Sequence, residues 1–98
     1  MEIIDLLAND GYIIANKTVA KMFGLDEAIL LGELASEYKY FARCGELSDG
    51  YFYSTIENVK ENTTLSDKRQ RSALNVLKDA GIVSIRIIKL HFINLLIV

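Results

Sequence analysis

The stretch that decides the fold is LSDKRQRSALNVLKDAGIV, residues 65–83. It predicts a helix over 66–80, because Ser66 can accept an N-cap hydrogen bond and Gly81 suits the left-handed turn that follows a helix. At 100° per residue, the stretch separates into an apolar and a polar face. The predicted core stripe is Gln70, Ala73, Leu74, Leu77 and Ala80. The predicted outward face is Lys68, Arg71, Ser72, Asn75 and Lys78.

A shorter helix is predicted just upstream, in YSTIENVKENTT, residues 53–64. Ser54 and Glu57 have the spacing of a capping box, and the polar turn 62–64 would join the two helices into a helix-turn-helix. After Gly81, residues 82–98 are rich in β-branched side chains and could supply the two strands of a wing. This order predicts an α+β, mainly α fold, a winged helix-turn-helix. The alternative is a pair of amphipathic helices packed in some other small α+β core.

The length of 98 residues leaves room for one hydrophobic core, so a single domain over 1–98 is predicted. Residues 1–24 are expected to form an N-terminal extension, and 25–98 the winged-helix core. Within the extension, Tyr12–Ala15 is a candidate strand and Lys17–Phe23 a short helix that Asn16 would cap.

The longest helix is predicted from Asp26 to about Arg43, with Gly45 closing it. A short strand, 51–53, is expected to follow and to pair with the wing. Glu33 and Glu37 lie one helical turn apart and could share a metal, but no further ligand is spaced to help them. They are therefore interpreted as solvated surface acids.

A resemblance to a known family covers about 60 residues, from Gly24 to Val83. The features that match, in order, are Gly24-Leu25 with Glu27-Ala28-Ile29, Asp49-Gly50 with Tyr51-Phe52-Tyr53, Thr55-Ile56-Glu57, Leu65-Ser66, Gln70-Arg71, and Leu77 with Gly81-Ile82. In these features the chain resembles the N-terminal winged-helix domains of replication proteins from Gram-positive phages, plasmids and integrated elements, including DnaD-like replisome organisers. The resemblance implies binding to double-stranded DNA at origins or forks, self-association, and contact with other replication proteins.

The wing departs from that family. Related domains tend to carry glycine and proline at the wing tip, whereas Arg86–Phe92 contains neither. A tight hairpin prefers Gly or Asn where φ is positive, so this tip is expected to be strained, irregular or absent. In the last case residues 82–98 would run on as one extended strand and pair with another chain. The departure therefore favours a homo-oligomer formed through the C-terminal strands.

The candidate DNA-binding residues lie in and before the second helix. They are Thr64, Ser66, Lys68, Arg69, Arg71, Ser72 and Asn75. Lys68 and Arg71 could donate to guanine, and Asn75 could make the two-bond contact to adenine. Arg69 lies at the border of the apolar face and is assigned to phosphate, as are the groups of the turn. The alternative for these residues is an ordinary solvated face. The alternative function is a winged-helix protein-interaction or dimerisation module without direct DNA binding, which would use the strands of 85–98 and the long helix; the pI of about 5.3, the apolar tail and the missing wing glycine favour it.

Gln70 is the one polar residue on the predicted core stripe. Its amide could be satisfied by a neighbouring carbonyl at the edge of the core, or it could reach the turn and brace the two helices. The first interpretation is favoured.

Other function classes find little support in the sequence. His91 and Cys44 are the only histidine and cysteine, so no zinc set, no Cys–His nucleophile pair and no cofactor is expected, and the protein is not predicted to be an enzyme. The lone cysteine suits a reducing cytoplasm, and the apolar tail is too short and too interrupted for a membrane span. The net charge of −2 argues against nucleic acid in general. Within 66–78, however, four basic residues stand against one acid.

Overall fold

The computed structural model of the protein describes residues 2–8, 11–89 and 92–97. These residues form five helices and three strands. In chain order they are α1 (Ile3–Ala8), α2 (Lys17–Phe23), α3 (Leu25–Arg43), β1 (Phe52–Thr55), α4 (Ile56–Thr63), α5 (Asp67–Asp79), β2 (Val83–Lys89) and β3 (Phe92–Ile97). The predicted α+β, mainly helical class is confirmed. The order helix, turn, helix and β-hairpin is compatible with a winged helix.

The bounds of α5 agree with the sequence-based prediction. The helix runs over Asp67–Asp79, and the hydroxyl of Ser66 accepts a hydrogen bond of 3.3 Å from the backbone N–H three residues on. After the helix, Gly81 has φ 76°. The N–H of Ile82 donates to the carbonyl of Leu77 at 3.0 Å, which closes a Schellman motif.

The start of α4 corrects the predicted capping box. The N-cap is Thr55, whose Oγ1 accepts a hydrogen bond of 3.2 Å from the N–H of Asn58. Ser54 is instead a buried residue of β1. The strand thus continues one residue further than the S-x-x-E spacing implies, and the helix begins directly where the strand ends, at Ile56.

The turn between α4 and α5 lies later than the predicted 62–64. The helix continues to Thr63, whose hydroxyl donates to the carbonyl of Val59 at 2.6 Å and accepts from the N–H of Leu65 at 3.2 Å. Thr64 then adopts the left-handed conformation at φ 66° and ends the helix. Because the Thr63 hydroxyl bonds on both sides of this point, the polar residues 62–63 extend the helix and do not break it.

The three strands form one antiparallel sheet in the order β1-β3-β2. Phe52 of β1 pairs with Leu95 of β3, so the predicted pairing of a short strand with the wing is confirmed. β2 and β3 form a hairpin, and the alternative of a single extended tail strand is therefore wrong. The register shifts between Ile85 and Ile87. The tip residues 90–91, for which strain was predicted, lie outside the described residues.

The core lies between α3, α4 and α5 on one side and the sheet on the other. Its buried members come from all six of these elements and from the turn between α4 and α5: Leu30, Leu34, Phe52, Val59, Leu65, Ala73, Leu74, Leu77, Val83 and Leu95. The core stripe of α5 is confirmed except for Ala80, which is exposed because it is the C-cap and not a helical residue. Tyr38 packs edge-on against Phe52, with ring centroids 6.0 Å apart.

The N-terminal extension contains helices but not the predicted strand. α2 is confirmed over Lys17–Phe23, and the side chain of Asn16 caps it. The segment Tyr12–Ala15 has no strand pairing; it passes over α3, where a Cβ added to Gly32 would lie 2.9 Å from the carbonyl oxygen of Ile14. The strand prediction is wrong because periodicity cannot show whether a partner strand is within reach.

Within the described ranges, none of the helices combines the length and the apolar character that crossing a membrane requires.

Candidate nucleic-acid interface

Four predicted DNA-binding residues share the outward face of α5. Lys68, Arg71, Ser72 and Asn75 have the spacing i, i+3, i+4, i+7, and all four are exposed. Thr64 and Ser66 precede them at the N-terminal end, the first exposed and the second half-buried. These six residues are called the α5 face below. Four of them lie on α5 and two just before it; α5 is the second helix of the helix-turn-helix, and in DNA-binding proteins of this type the second helix enters the major groove.

Arg69 is separated from the α5 face by an ion pair. Its Nε lies 2.9 Å and its Nη2 2.7 Å from the two carboxylate oxygens of Asp26 on α3. The hydrogen bond from Arg69 lowers the pKa of Asp26, and the same bond raises the pKa of Arg69. Because Arg69 is rotated about 100° from Lys68, it reaches α3 and fixes α5 against it. Its predicted phosphate contact stays a prediction, with two of its donors already engaged.

Gln70 combines the two roles that the sequence left as alternatives. Its Nε2 donates to the carbonyl oxygen of Ile56 at 3.0 Å and to that of Leu65 at 2.9 Å. The amide is therefore satisfied while buried, as the favoured interpretation holds. The same two bonds also join α5 to the start of α4 and to the turn, so Gln70 braces the helix-turn-helix.

The charge of α5 is only weakly positive. With Arg69 neutralised by Asp26, three cations remain on the helix, Lys68, Arg71 and Lys78. Asp67 and Asp79 oppose them. The partial positive charge of the helix N-terminus adds to the potential on the Lys68 side. The α5 face is therefore locally cationic on a chain that carries a net charge of −2.

The base of the wing is held by Arg86, a residue that the sequence did not single out. Its guanidinium lies 3.3 Å from both the carbonyl oxygen of Ser48 and a carboxylate oxygen of Asp49. It also lies 4.9 Å from the ring centroid of Tyr51. Arg86 therefore ties β2 to the turn before β1. The sequence does not indicate this role of Arg86, because its three partners lie 35 or more positions away in the chain.

Glu37 differs most from its sequence-based interpretation. It is 9% exposed, so its assignment as a solvated surface acid is wrong. Burial, together with neighbouring Glu33, raises the pKa of the Glu37 carboxyl to about 8. Glu33 itself accepts a hydrogen bond of 2.9 Å from the side chain of Asn62. The signal that could have found this is the stripe Leu30, Leu34, Glu37, Phe41, whose spacing of 4, 3 and 4 is that of a buried helix face.

Within the described ranges, no group of three or more His, Cys, Asp or Glu side chains is placed so that it could hold a metal ion. Cys44 is exposed and unbonded to another cysteine. Comparison of the chain with protein-family models, with curated proteins and with solved structures gives no match in any of the three.

Proposed function

We propose that this protein binds duplex DNA, with the α5 face in the major groove. One observation carries the proposal: Lys68 and Arg71, in the N-terminal half of the second helix of a helix-turn-helix, share an outward face with Asn75, which lies about one turn further along. On the side of the helix away from this face, Gln70 donates hydrogen bonds to α4 and to the turn, and Arg69 forms an ion pair with α3. A helix that presents donors on a fixed support is suited to reading base edges.

The residues of the α5 face divide by chemistry. Lys68 and Arg71 donate to guanine O6 and N7 or to phosphate, and Asn75 offers the donor and acceptor pair that adenine requires. Thr64 and Ser66 lie where hydroxyl groups and backbone N–H groups meet phosphate. Because the net positive charge of the helix is small, one copy would bind weakly, and strong binding would require several copies on the same DNA.

A role in replication rests on the resemblance of residues 24–83 to winged-helix domains of phage and plasmid replication proteins. On this proposal the DNA is an origin or a fork, the setting is the cytoplasm, and other replication proteins are partners. Self-association belongs to the same proposal. Since β3 is paired on both sides, an oligomer formed through the C-terminal strands would use the outer edge of β2.

A second candidate function is a protein-interaction or dimerisation module that does not bind DNA. The observation that favours it is a set of large apolar side chains exposed in the N-terminal extension. They are Ile3, Ile4, Leu7, Tyr12, Ile13 and Ile14. Exposed apolar patches often mark interaction surfaces. This candidate predicts association in solution and no dependence on Lys68 or Arg71.

Fluorescence anisotropy on a labelled duplex separates the two. We expect wild type to bind at low salt, and Lys68→Ala/Arg71→Ala to lose binding by about 30-fold, since each contact to a base or phosphate is worth roughly 1 kcal/mol or more. The slope of log affinity against log salt should flatten by roughly two units if both cations meet phosphate. The matched control is Lys17→Ala/Lys21→Ala, which removes two exposed lysines from α2.

Two results would overturn DNA binding through the α5 face. Wild type could fail to bind at low salt, or the α5 double variant could bind as well as the α2 control. Light scattering after size-exclusion chromatography would then test the second candidate. That candidate requires a dimer or larger species, which Ile4→Glu/Ile14→Glu should convert to monomer.

A further inference from the structure

An open groove lies on the side of α3 that faces β1 and the start of α4. Its volume is about 560 Å³. Its walls carry Glu33, Glu37 and Tyr40 from α3 and, across from them, Tyr53, Ser54 and Asn58. It is called the acidic groove below. None of its described lining residues comes from α5, so this groove is separate from the proposed DNA contact.

Two buried polar atoms in the acidic groove lack a partner. Glu37 is 9% exposed and Ser54 is 5% exposed. Within the described part of the chain, neither the Oε2 of Glu37 nor the Oγ of Ser54 meets the geometry of a hydrogen bond, although the two side chains lie close enough for Ser54 to lower the pKa of Glu37. Buried polar atoms are nearly always paired, and the exceptions call for an explanation such as a bound group. These two atoms therefore mark the floor of the groove as a place for a ligand that donates hydrogen bonds.

The acidic side chains of the groove favour a positively charged ligand. The groove holds two carboxyl groups, from Glu33 and Glu37, and no lysine or arginine among the described residues that line it. A phosphate would be repelled by Glu33, whereas a cation would be attracted to it and would favour ionisation of Glu37, whose pKa is raised to about 8. The rings of Tyr40 and Tyr53 stand at the walls, about half exposed, and such rings attract cations through their faces.

We propose that the acidic groove binds the guanidinium group of an arginine from a partner protein. The planar guanidinium of arginine presents five N–H donors. Glu33 and Glu37 are one helical turn apart, so their Cβ atoms are about 6 Å apart. The donors are numerous enough to reach both carboxyl groups and also the hydroxyl of Ser54. Lysine offers a compact point charge and stacks less well on tyrosine. A nucleic acid does not fit, because its phosphates would face Glu33 and Glu37.

The groups around Glu37 make the binding measurable. Glu33, on the same helix, and Ser54 of β1, across the groove, are the neighbouring groups that affect its pKa. The pKa of the Glu37 carboxyl is raised to about 8, first by burial and then by Glu33. A guanidinium beside it would favour the ionised form and lower that pKa. The titration of Glu37 is therefore a reporter at the site itself.

The test uses ¹³C NMR of the full chain with two capped tripeptides, acetyl-Gly-Arg-Gly-amide and the same peptide with neutral citrulline. At about 50 mM peptide, suited to a millimolar dissociation constant, we expect the arginine peptide to lower the Glu37 titration midpoint by about one pH unit or more. The citrulline peptide should leave the midpoint unchanged. Ring signals of Tyr40 and Tyr53 should shift with the arginine peptide alone.

Variants make the result specific. Glu33→Gln and Glu37→Gln should each weaken arginine-peptide binding by about five-fold or more, and Glu57→Gln, an exposed acid of α4, should not. Glu33→Gln tests the proposal even if Glu37→Gln disturbs folding. Lys68→Ala/Arg71→Ala should keep arginine binding, which distinguishes failure here from failure of DNA binding. Equal effects of the arginine and citrulline peptides, or no effect of either, would overturn the proposal.

Discussion

The α5 face and the acidic groove use the same helical spacing, but only in the groove is one of the spaced side chains buried. Lys68, Arg71, Ser72 and Asn75 repeat at i, i+3, i+4 and i+7 on α5, and Glu33, Ser36, Glu37 and Tyr40 repeat in the same way on α3. The four residues of α5 are all exposed. On α3, by contrast, Tyr53 and Ser54 stand across the groove and Glu37 is buried.

The difference shows what a periodic pattern leaves open. Spacing determines which side chains share a face, but whether another element covers that face depends on the packing of distant segments. Both sets are polar, and both allow the interpretation of a solvated surface. All four residues of α5 are solvated, whereas on α3 Ser36 and Tyr40 are exposed and Glu37 is buried.

The largest effect expected from this contrast is a pH dependence of stability that arises from Glu37. Its pKa is about 8 in the folded protein and near 4.5 when unfolded, so the folded state holds a proton that the unfolded state releases. Its contribution is complete below about pH 4.5 and is lost as pH rises toward about 8. Between about pH 5 and 9, wild type should lose roughly 3 kcal/mol relative to Glu37→Gln, after allowance for screening in an open groove.

Chemical denaturation across that pH range measures the effect. Glu57→Gln serves as the control, because this exposed acid should leave the wild-type profile unchanged. Parallel profiles for wild type and Glu37→Gln would mean that Glu37 is solvated, and the contrast with the α5 face would disappear.

A smaller loss is expected on the α5 side when the brace is removed. Gln70→Leu keeps the apolar stripe but takes the donor from two carbonyl oxygens, those of Ile56 and Leu65. A buried acceptor left without a donor costs about 1–3 kcal/mol, and a loss of roughly 2 kcal/mol in the free energy of unfolding is expected. Ser72→Ala, on the exposed side of the same helix, should change stability little. Urea denaturation would contradict the account if Gln70→Leu were neutral or stabilising.

Features of the fold that depend on interactions between residues close together in the chain can be predicted from the sequence, and features that depend on distant residues cannot. Ser66 and Gly81 are predicted correctly, because a cap hydroxyl and a residue at positive φ act within one turn of the helix they bound. Tyr12–Ala15 is not, since an extended segment becomes a strand only beside another strand. The side chains of the α5 face are placed correctly as a set, and Arg69 is separated from them by Asp26, which lies 43 residues earlier.

The acidic groove was beyond sequence reasoning for the same reason. The stripe Leu30, Leu34, Glu37 and Phe41 indicates locally that this side of α3 is buried, but it does not indicate that β1 packs across α3 to form the groove. The S-x-x-E pattern likewise predicts Ser54 to be a helix cap, because that pattern is local, whereas the pairing of Ser54 with Ile93 of β3 is not.

The smallest expected effect is a difference in melting temperature between the variants of Arg69 and of Lys68, which are neighbours on α5. Arg69→Ala should lower the melting temperature slightly at low salt, and less at high salt, because it breaks an exposed ion pair with Asp26. The lowered pKa of Asp26 means that this contribution is present above its unfolded pKa, near 3.8, and is lost as pH falls through the folded value. Lys68→Ala should leave the melting temperature unchanged and weaken DNA binding more than Arg69→Ala does. The reverse ranking would place Arg69 in the interface and Lys68 outside it.

The most direct test of the central claim is ¹H–¹⁵N NMR of the full chain titrated with a short DNA duplex. If the α5 face enters the major groove, backbone and side-chain signals of Lys68, Arg71 and Asn75 shift progressively, and those of Glu37 and Tyr40 in the acidic groove do not. Shifts confined to the groove or to the N-terminal extension, or no shifts at low salt, would contradict DNA binding through the α5 face.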